Sequence, residues 1–322
     1  MPFPHQPSPC QRLASPMFAN CKVWVKRDDL LHAAVSGNKF RKLKYPLRAL
    51  QGRGATLVTM GGPWSNHLHA LAHAGALLGW PTIGLVRGAE GVNTATLDDC
   101  RRLGMQIVFV SRDDYRALRE HPGQWRRHVR DAGDAGDSGD AGDAGDSDDS
   151  QVWLPEGGSA PDAVRGVAEL VDELPFIPDT MMVACGTGAT LAGLLAGLQG
   201  RGRVIGVAVL KNAEYLHREI ALLLRQAGYP AYDNYTLLTN CHHGGYGKAP
   251  PELRQFCADF VQETGIPIEP VYTGKLFHTL RQMAQAGDFR TDERIVAVHT
   301  GGMQGARGFA ALQAGCVLPV PR

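Results

Sequence analysis

The chain has 322 residues, 44% hydrophobic and 20% charged, with a formal net charge of +1. That length and mix can bury a full core in one large or two ordinary domains, and the near-zero charge gives no argument for a nucleic acid or an anionic membrane as partner. The seven cysteines are odd in number, with no C-x-x-C pair, and fit a reduced cytoplasm better than a disulfide framework.

Residues 1–10 are proline-rich without the basic-then-apolar order of a signal peptide, so none is expected there. Lys26-Arg27-Asp28-Asp29-Leu30 precedes Ser36-Gly37-Asn38-Lys39-Phe40-Arg41-Lys42-Leu43, a turn opening into a helix that carries two lysines one turn apart. A lysine held at a fixed, partly desolvated spot is how proteins build covalent amine catalysts, and Lys39 is the candidate, with Lys42 placed to meet an anion. A strand is predicted over 56–60, followed by Gly61-Gly62-Pro63-Trp64-Ser65-Asn66-His67 and a helix over 66–78. Ser65 is a natural N-cap there, and the free backbone N–H groups beyond it suit a carboxylate. Further strands are predicted at 82–86 and 106–110.

Arg112, Arg116, Arg119, Arg126, Arg127 and Arg130 precede a tract, 131–150, built only of Asp, Ala, Gly and Ser. Its eight aspartates are its only charges, and without them the net rises from +1 to about +9. Such a segment cannot bury a core and is expected to be a disordered loop lying over the basic stretch. The uncharged stretch 181–198 is long enough to span a bilayer, but Gly186, Gly188, Gly193 and Gly197 divide it into a strand (180–184), a turn and a small-residue helix. The turn Cys185-Gly186-Thr187-Gly188-Ala189-Thr190 offers N–H groups and two hydroxyls to a phosphate. Its G-x-G-x-x-G register is broken at Leu191, and Lys211 rather than an acid follows the next strand (203–210), so a dinucleotide is not expected.

Amphipathic helices are predicted over 215–226 and 251–263, with a last strand over 294–299. Between them Gly244-Gly245-Tyr246-Gly247-Lys248 and Val271-Tyr272-Thr273-Gly274-Lys275 each present a tyrosine beside glycine, and Val298-His299-Thr300-Gly301-Gly302 closes the last strand. The alternation of strands and helices predicts an α/β protein with mostly parallel sheets covered on both faces, and ligands belong beyond the strands' carboxyl ends. His67, His69 and His73 lack an accompanying carboxylate, and Cys241-His242-His243 lacks a partner at ligand spacing. No metal site is expected.

These segments, taken in order, resemble the pyridoxal-phosphate enzymes of the fold type II, tryptophan-synthase-β-like superfamily, in the branch of 1-aminocyclopropane-1-carboxylate deaminase and D-cysteine desulfhydrase. The resemblance runs from about residue 7 to about residue 310. It implies two open twisted sheets, a larger domain of 1–46 and 158–322 and a smaller one of 47–157, with pyridoxal 5'-phosphate in the cleft. It implies that Lys39 forms the Schiff base. Lys42, with Gly186, Thr187, Gly188, Ala189 and Thr190, would hold the phosphate. Asn66 would bond the ring's phenolic oxygen, and Thr300 would approach the pyridine nitrogen. Ser65, Asn66, His67 and Trp64 would face the substrate, between Tyr246 and Tyr272. The cyclopropane-opening enzymes carry glutamate where this chain has Thr273. That favours β-elimination from a small amino acid such as D-cysteine, with 1-aminocyclopropane-1-carboxylate as the alternative substrate, by a cytoplasmic homodimer. Trp64 and His69 depart from the family's glutamine and arginine, which keeps open a catalytically silent homologue; a nucleotide-dependent oxidoreductase is the reading from another class.

Overall fold

The computed structural model describes residues 6–35, 37–133 and 150–309. Among them the strands form two sheets. The larger contains β1 (Cys10–Leu13), β2 (Lys22–Arg27), β7 (Thr180–Cys185), β8 (Arg203–Ala208), β9 (Tyr235–Leu238) and β10 (Arg294–His299). Its order is β1-β2-β10-β7-β8-β9, parallel except for the antiparallel edge strand β1. The smaller contains β3 (Thr56–Gly61), β4 (Thr82–Arg87), β5 (Met105–Val110) and β6 (Gln151–Leu154), all parallel in the order β5-β4-β3-β6. The parallel pairings require helical crossovers, and those helices bury both faces of the central strands. Every residue of β7 is buried accordingly.

Helix α2 (Asn66–Leu78) and strand β10 fall where the sequence put them. Strand β8 ends two residues early, at Ala208, because its partner β7 also ends there and the Val209 N–H turns to the Cys185 carbonyl. Strands β1, β2, β6 and β9 were not expected. Three have four residues each, and β2 is a Val-Trp-Val run between charged ends, its last two residues part of a motif that reads first as chemistry. The acidic tract lies outside the described residues except for its ends, 131–133 and Ser150. Part of the basic stretch before it is occupied otherwise, since Arg119 pairs with Glu156 at 2.6 Å and Arg127 with Asp114 at 3.1 Å.

Two helices join the layers. Helix α1 (Asn38–Ala49) sends Phe40, Leu43 and Leu47 into the core beneath the smaller sheet. Its other side lies so close on α6 (Pro161–Asp172) that a Cβ at Gly166 would stand 2.1 Å from the Arg41 carbonyl oxygen. The boundary expected at 46/47 therefore cuts through one helix that both layers share. Below it a buried ion network gathers much of the Lys26-to-Asp29 motif. Arg41 binds Asp28 (2.7 Å) and Glu173 (2.8 Å), Glu173 also binds Lys26 (2.6 Å), and Arg27 binds Asp29 (2.7 Å). No helix among the described residues is long and apolar enough to cross a membrane.

Candidate active site

Five strands, β2, β3, β6, β7 and β10, aim their carboxyl ends at one region, and the turns that follow build the site. Helix α1 enters it through Gly37, whose φ of +62° suits glycine and where a Cβ would lie 1.9 Å from the Thr300 carbonyl oxygen. The Asn38 N–H donates to that same oxygen at 3.1 Å, and the Asn38 amide donates to Thr190 Oγ1 at 3.0 Å. The start of α1 is thus clamped between the ends of β10 and β7, which fixes Lys39 one residue later.

Lys39 donates from Nζ to the Gly157 carbonyl at 3.0 Å, and Lys42 reaches the same oxygen at 3.4 Å. The amine of Lys39 borders a narrow slot lined also by Asn38, Asn66, Thr300, Gly302 and Gln304. Burial pulls Lys39 down to about 8, against the opposing pull of the Lys42 contact and the Glu156 carboxylate. Lys42 is held well below the usual lysine value, by burial first and by the charge of Lys39 second. His67 is buried beside both, its imidazole kept neutral by burial and by the two lysines. Neither of its ring nitrogens has a hydrogen-bond partner among the described residues.

Opposite the lysines, α7 (Ala189–Leu198) begins at Gly188 (φ +81°) with no side chain capping its amide end. A Cβ at Gly157 would come within 3.0 Å of the Thr187 methyl and 3.8 Å of Lys39 Nζ, so the two glycine loops and the lysine meet closely. The loop of Gly157 was not singled out from sequence. A glycine pair after a four-residue strand was its only signal. It is tethered by Glu156, which accepts from Tyr115 (2.6 Å) and from Arg119.

Ser65 caps α2, accepting from the N–H groups of His67 (3.2 Å) and Leu68 (3.3 Å). Trp64, Asn66, Tyr246, Tyr272 and Glu269 line a cavity of about 170 Å³ next to the slot. Tyr246 and Tyr272 meet edge to face, with ring centroids 5.8 Å apart, and burial raises both phenols, so both stay protonated at neutral pH. His67 is not among the residues lining this cavity. It lies against Gly158, on the lysine side, rather than at the place expected for it beside a substrate.

Glu269 was missed by the sequence reading, because an isolated glutamate between two prolines carries no motif. It is fully buried and accepts from the N–H groups of Val271 (2.7 Å), Tyr272 (2.8 Å) and Thr273 (2.8 Å) at the start of α10 (Thr273–Ala286). Thr273, which stands where the cyclopropane-opening enzymes carry glutamate, points into this cap. Its hydroxyl contacts the Glu269 carboxylate at 3.2 Å and it is not among the residues lining the slot. From the same helix, Lys275 donates to the Gly245 carbonyl at 2.8 Å and holds the loop of Tyr246. His69, read from sequence as a departure, bonds Asp99 at 3.2 Å and packs against His73.

Residues 3–301 match the family described as pyridoxal-phosphate dependent enzymes. The chain belongs to that family. A D-cysteine desulfhydrase of Yersinia enterocolitica is 28% identical over 87% of this chain and 86% of its own. A mitochondrial bifunctional D-cysteine desulfhydrase/1-aminocyclopropane-1-carboxylate deaminase of Arabidopsis thaliana is 25% identical over 94% of this chain and 77% of its own. A crystal structure described as an ACC deaminase homologue superposes with a TM-score of 0.79 at 28% identity, covering 97% of this chain and 94% of that one.

The residues present fit the family's cofactor. An uncapped helix end, a buried lysine held well below its usual value and a neutral histidine with two unpartnered nitrogens form a cradle suited to an anion. Beside them stands one lysine whose amine is available as a nucleophile near neutral pH.

Proposed function

We propose that this enzyme eliminates a β-substituent from a small amino acid, with D-cysteine as substrate and pyruvate, sulfide and ammonia as products. The observation that carries the reading is the buried Lys39 amine, lowered to about 8, between the Gly157 carbonyl and the slot. Bound pyridoxal phosphate supplies the electron sink for a carbanion at Cα. The rest is done by the chain. Lys42 and the amide end of α7 with Thr187 and Thr190 would hold the phosphate, whose negative charge would favour the protonated form of Lys42. Asn66, from the slot it shares with Lys39, would hold the ring's phenolic oxygen, and Thr300, lining the same slot, would serve the ring nitrogen. Lys39 would be the residue that holds the cofactor covalently through Nζ, and the same amine, once free, would serve as the base at the substrate Cα. Ser65 and the first turn of α2 receive the substrate carboxylate. Tyr246 and Tyr272, protonated and facing the cavity, offer O–H donors to the departing sulfur, and Trp64 closes the wall beyond them.

The names of the desulfhydrase relatives support sulfur as the leaving group. The structure described as an ACC deaminase homologue keeps the cyclopropane amino acid as the second substrate to assay. We also infer a homodimer, from the resemblance, and a reducing cytoplasm, from the free thiols of Cys10, Cys21, Cys100, Cys185, Cys241 and Cys257. The test is borohydride trapping of the holoenzyme followed by peptide mapping, with sulfide release from D-cysteine. The label is expected on Lys39, and Lys39→Ala should lose both the visible absorption band and turnover. A label elsewhere, or none, overturns the assignment. Trapping at Lys39 with no sulfide from D-cysteine keeps the chemistry and overturns the substrate.

A further inference from the structure

The turn after β10 does more than border the slot. Gln304 donates from Nε2 to Asn66 Oδ1 at 2.5 Å, joining the end of the larger sheet to the first turn of α2. Gly302, with φ +84°, packs directly on the other end of that amide: a Cβ there would lie 2.2 Å from Asn66 Nδ2. The carbonyl of Asn66 is therefore engaged by Gln304 while its NH₂ lies against Gly302, and Asn66, Gly302 and Gln304 all border the slot beside Lys39. The turn is pinned three residues later, where Arg307 donates to Asp99 at 2.5 Å on α3 (Ala95–Arg102) of the smaller layer.

An asparagine amide is nearly symmetric in shape but opposite in chemistry at its two ends, so its direction is set by its neighbours. A ring oxygen carrying negative charge is attracted by the NH₂ end and repelled by the carbonyl end. Without Gln304, nothing described here engages the Asn66 carbonyl, and the amide is free to turn either end toward the slot.

We propose that Gln304 is a positioning residue that fixes the direction of the Asn66 amide, so that its NH₂ rather than its carbonyl meets the phenolic oxygen of the cofactor. The inference rests on the functional reading in which Asn66 faces the cofactor ring. It assigns to Gln304 a role that the spacing of the sequence motifs does not contain.

The test is a thermodynamic cycle on the full-length protein, comparing wild type with Gln304→Met and pyridoxal phosphate with its 3-deoxy analogue, which lacks the phenolic oxygen. Equilibrium dissociation constants are read by titration calorimetry of each compound into the stripped enzyme. Gln304→Met keeps the side-chain length and removes the donor. It is expected to weaken pyridoxal phosphate by about tenfold or more, the scale of one hydrogen bond to a charged group, and the 3-deoxy analogue by less than about twofold. The melting temperature of the stripped variant should match that of the stripped wild type. Equal losses for both compounds, or no loss for either, overturn the proposal, as does a stripped variant that no longer folds. Wild-type protein that binds neither compound overturns the functional reading and this inference together; wild type that binds both, with Gln304→Met unchanged, overturns the inference alone.

Discussion

Single side chains at this site are governed by what burial does to charge. Burial lowers Lys39 to about 8 against the raising contact with Lys42, and it lowers Lys42 further because the charge of Lys39 stands beside it. Glu269 shows the reverse arrangement: burial raises its carboxyl, yet three backbone N–H groups and the Thr273 hydroxyl keep it in place as the cap of α10. Thr273→Glu is therefore expected to set a second carboxylate against a filled cap. A loss of about 3–5 kcal/mol, the cost of an uncompensated buried charge, should appear in chemical denaturation, with no gain of cyclopropane ring opening. Native-like stability together with ring opening would show that position 273 communicates with the ring after all.

At the scale of elements, the phosphate end of the site depends on how closely α7 approaches α6. Gly193 and Gly197 face α6, and a Cβ at Gly193 would fall 2.4 Å from Val167 Cβ and 3.0 Å from the Val164 carbonyl. Alanine is the better helix former by about 1 kcal/mol, but overpacking a filled core costs about 1–3 kcal/mol. Packing should win. Gly193→Ala is expected to lower the urea midpoint and weaken cofactor retention by displacing the start of α7; a midpoint equal to or above wild type would show that α6 yields. The short strands β1, β6 and β9 illustrate why some elements escape a sequence reading. Four residues carry too little periodicity to separate a strand from a loop, and β6 exists because it adds to the exposed edge of β3.

For the whole molecule, the two layers meet at α1, and the ion network beneath it ties that helix to both β2 and α6. Burial alone would raise the Glu173 carboxyl, but Arg41 and Lys26 together hold it below the ordinary glutamate value of 4.5. A carboxyl whose folded value is depressed contributes stability that is fully present above its unfolded value and is lost as pH falls through the folded one. Acid should thus loosen α1, and Lys39 with it, below about pH 4.5. Glu173→Ala leaves Lys26 buried without its carboxylate partner and should cost about 3–5 kcal/mol at neutral pH, read by urea denaturation, with a flatter acid limb than wild type. An unchanged acid limb would place the acid sensitivity elsewhere.

The sequence by itself determined the alternation of strands and helices, the α/β class, the choice of Lys39 as the candidate amine and the run of motifs that match a pyridoxal-phosphate family, because these depend on local period, turn residues and short spacings. It could not decide what Thr273 faces, where His67 lies, or that Glu156, Gly157, Glu269 and Gln304 belong to the site. Thr273 meets Glu269 only four residues away, in a local cap that carries no motif, whereas Gly157 and Gln304 enter through contacts across 115 or more residues, to the two lysines and to Asn66, which form only when two separate sheets bring their carboxyl ends together. Local sequence sets which groups are available; the packing of α1 between the layers sets which of them meet.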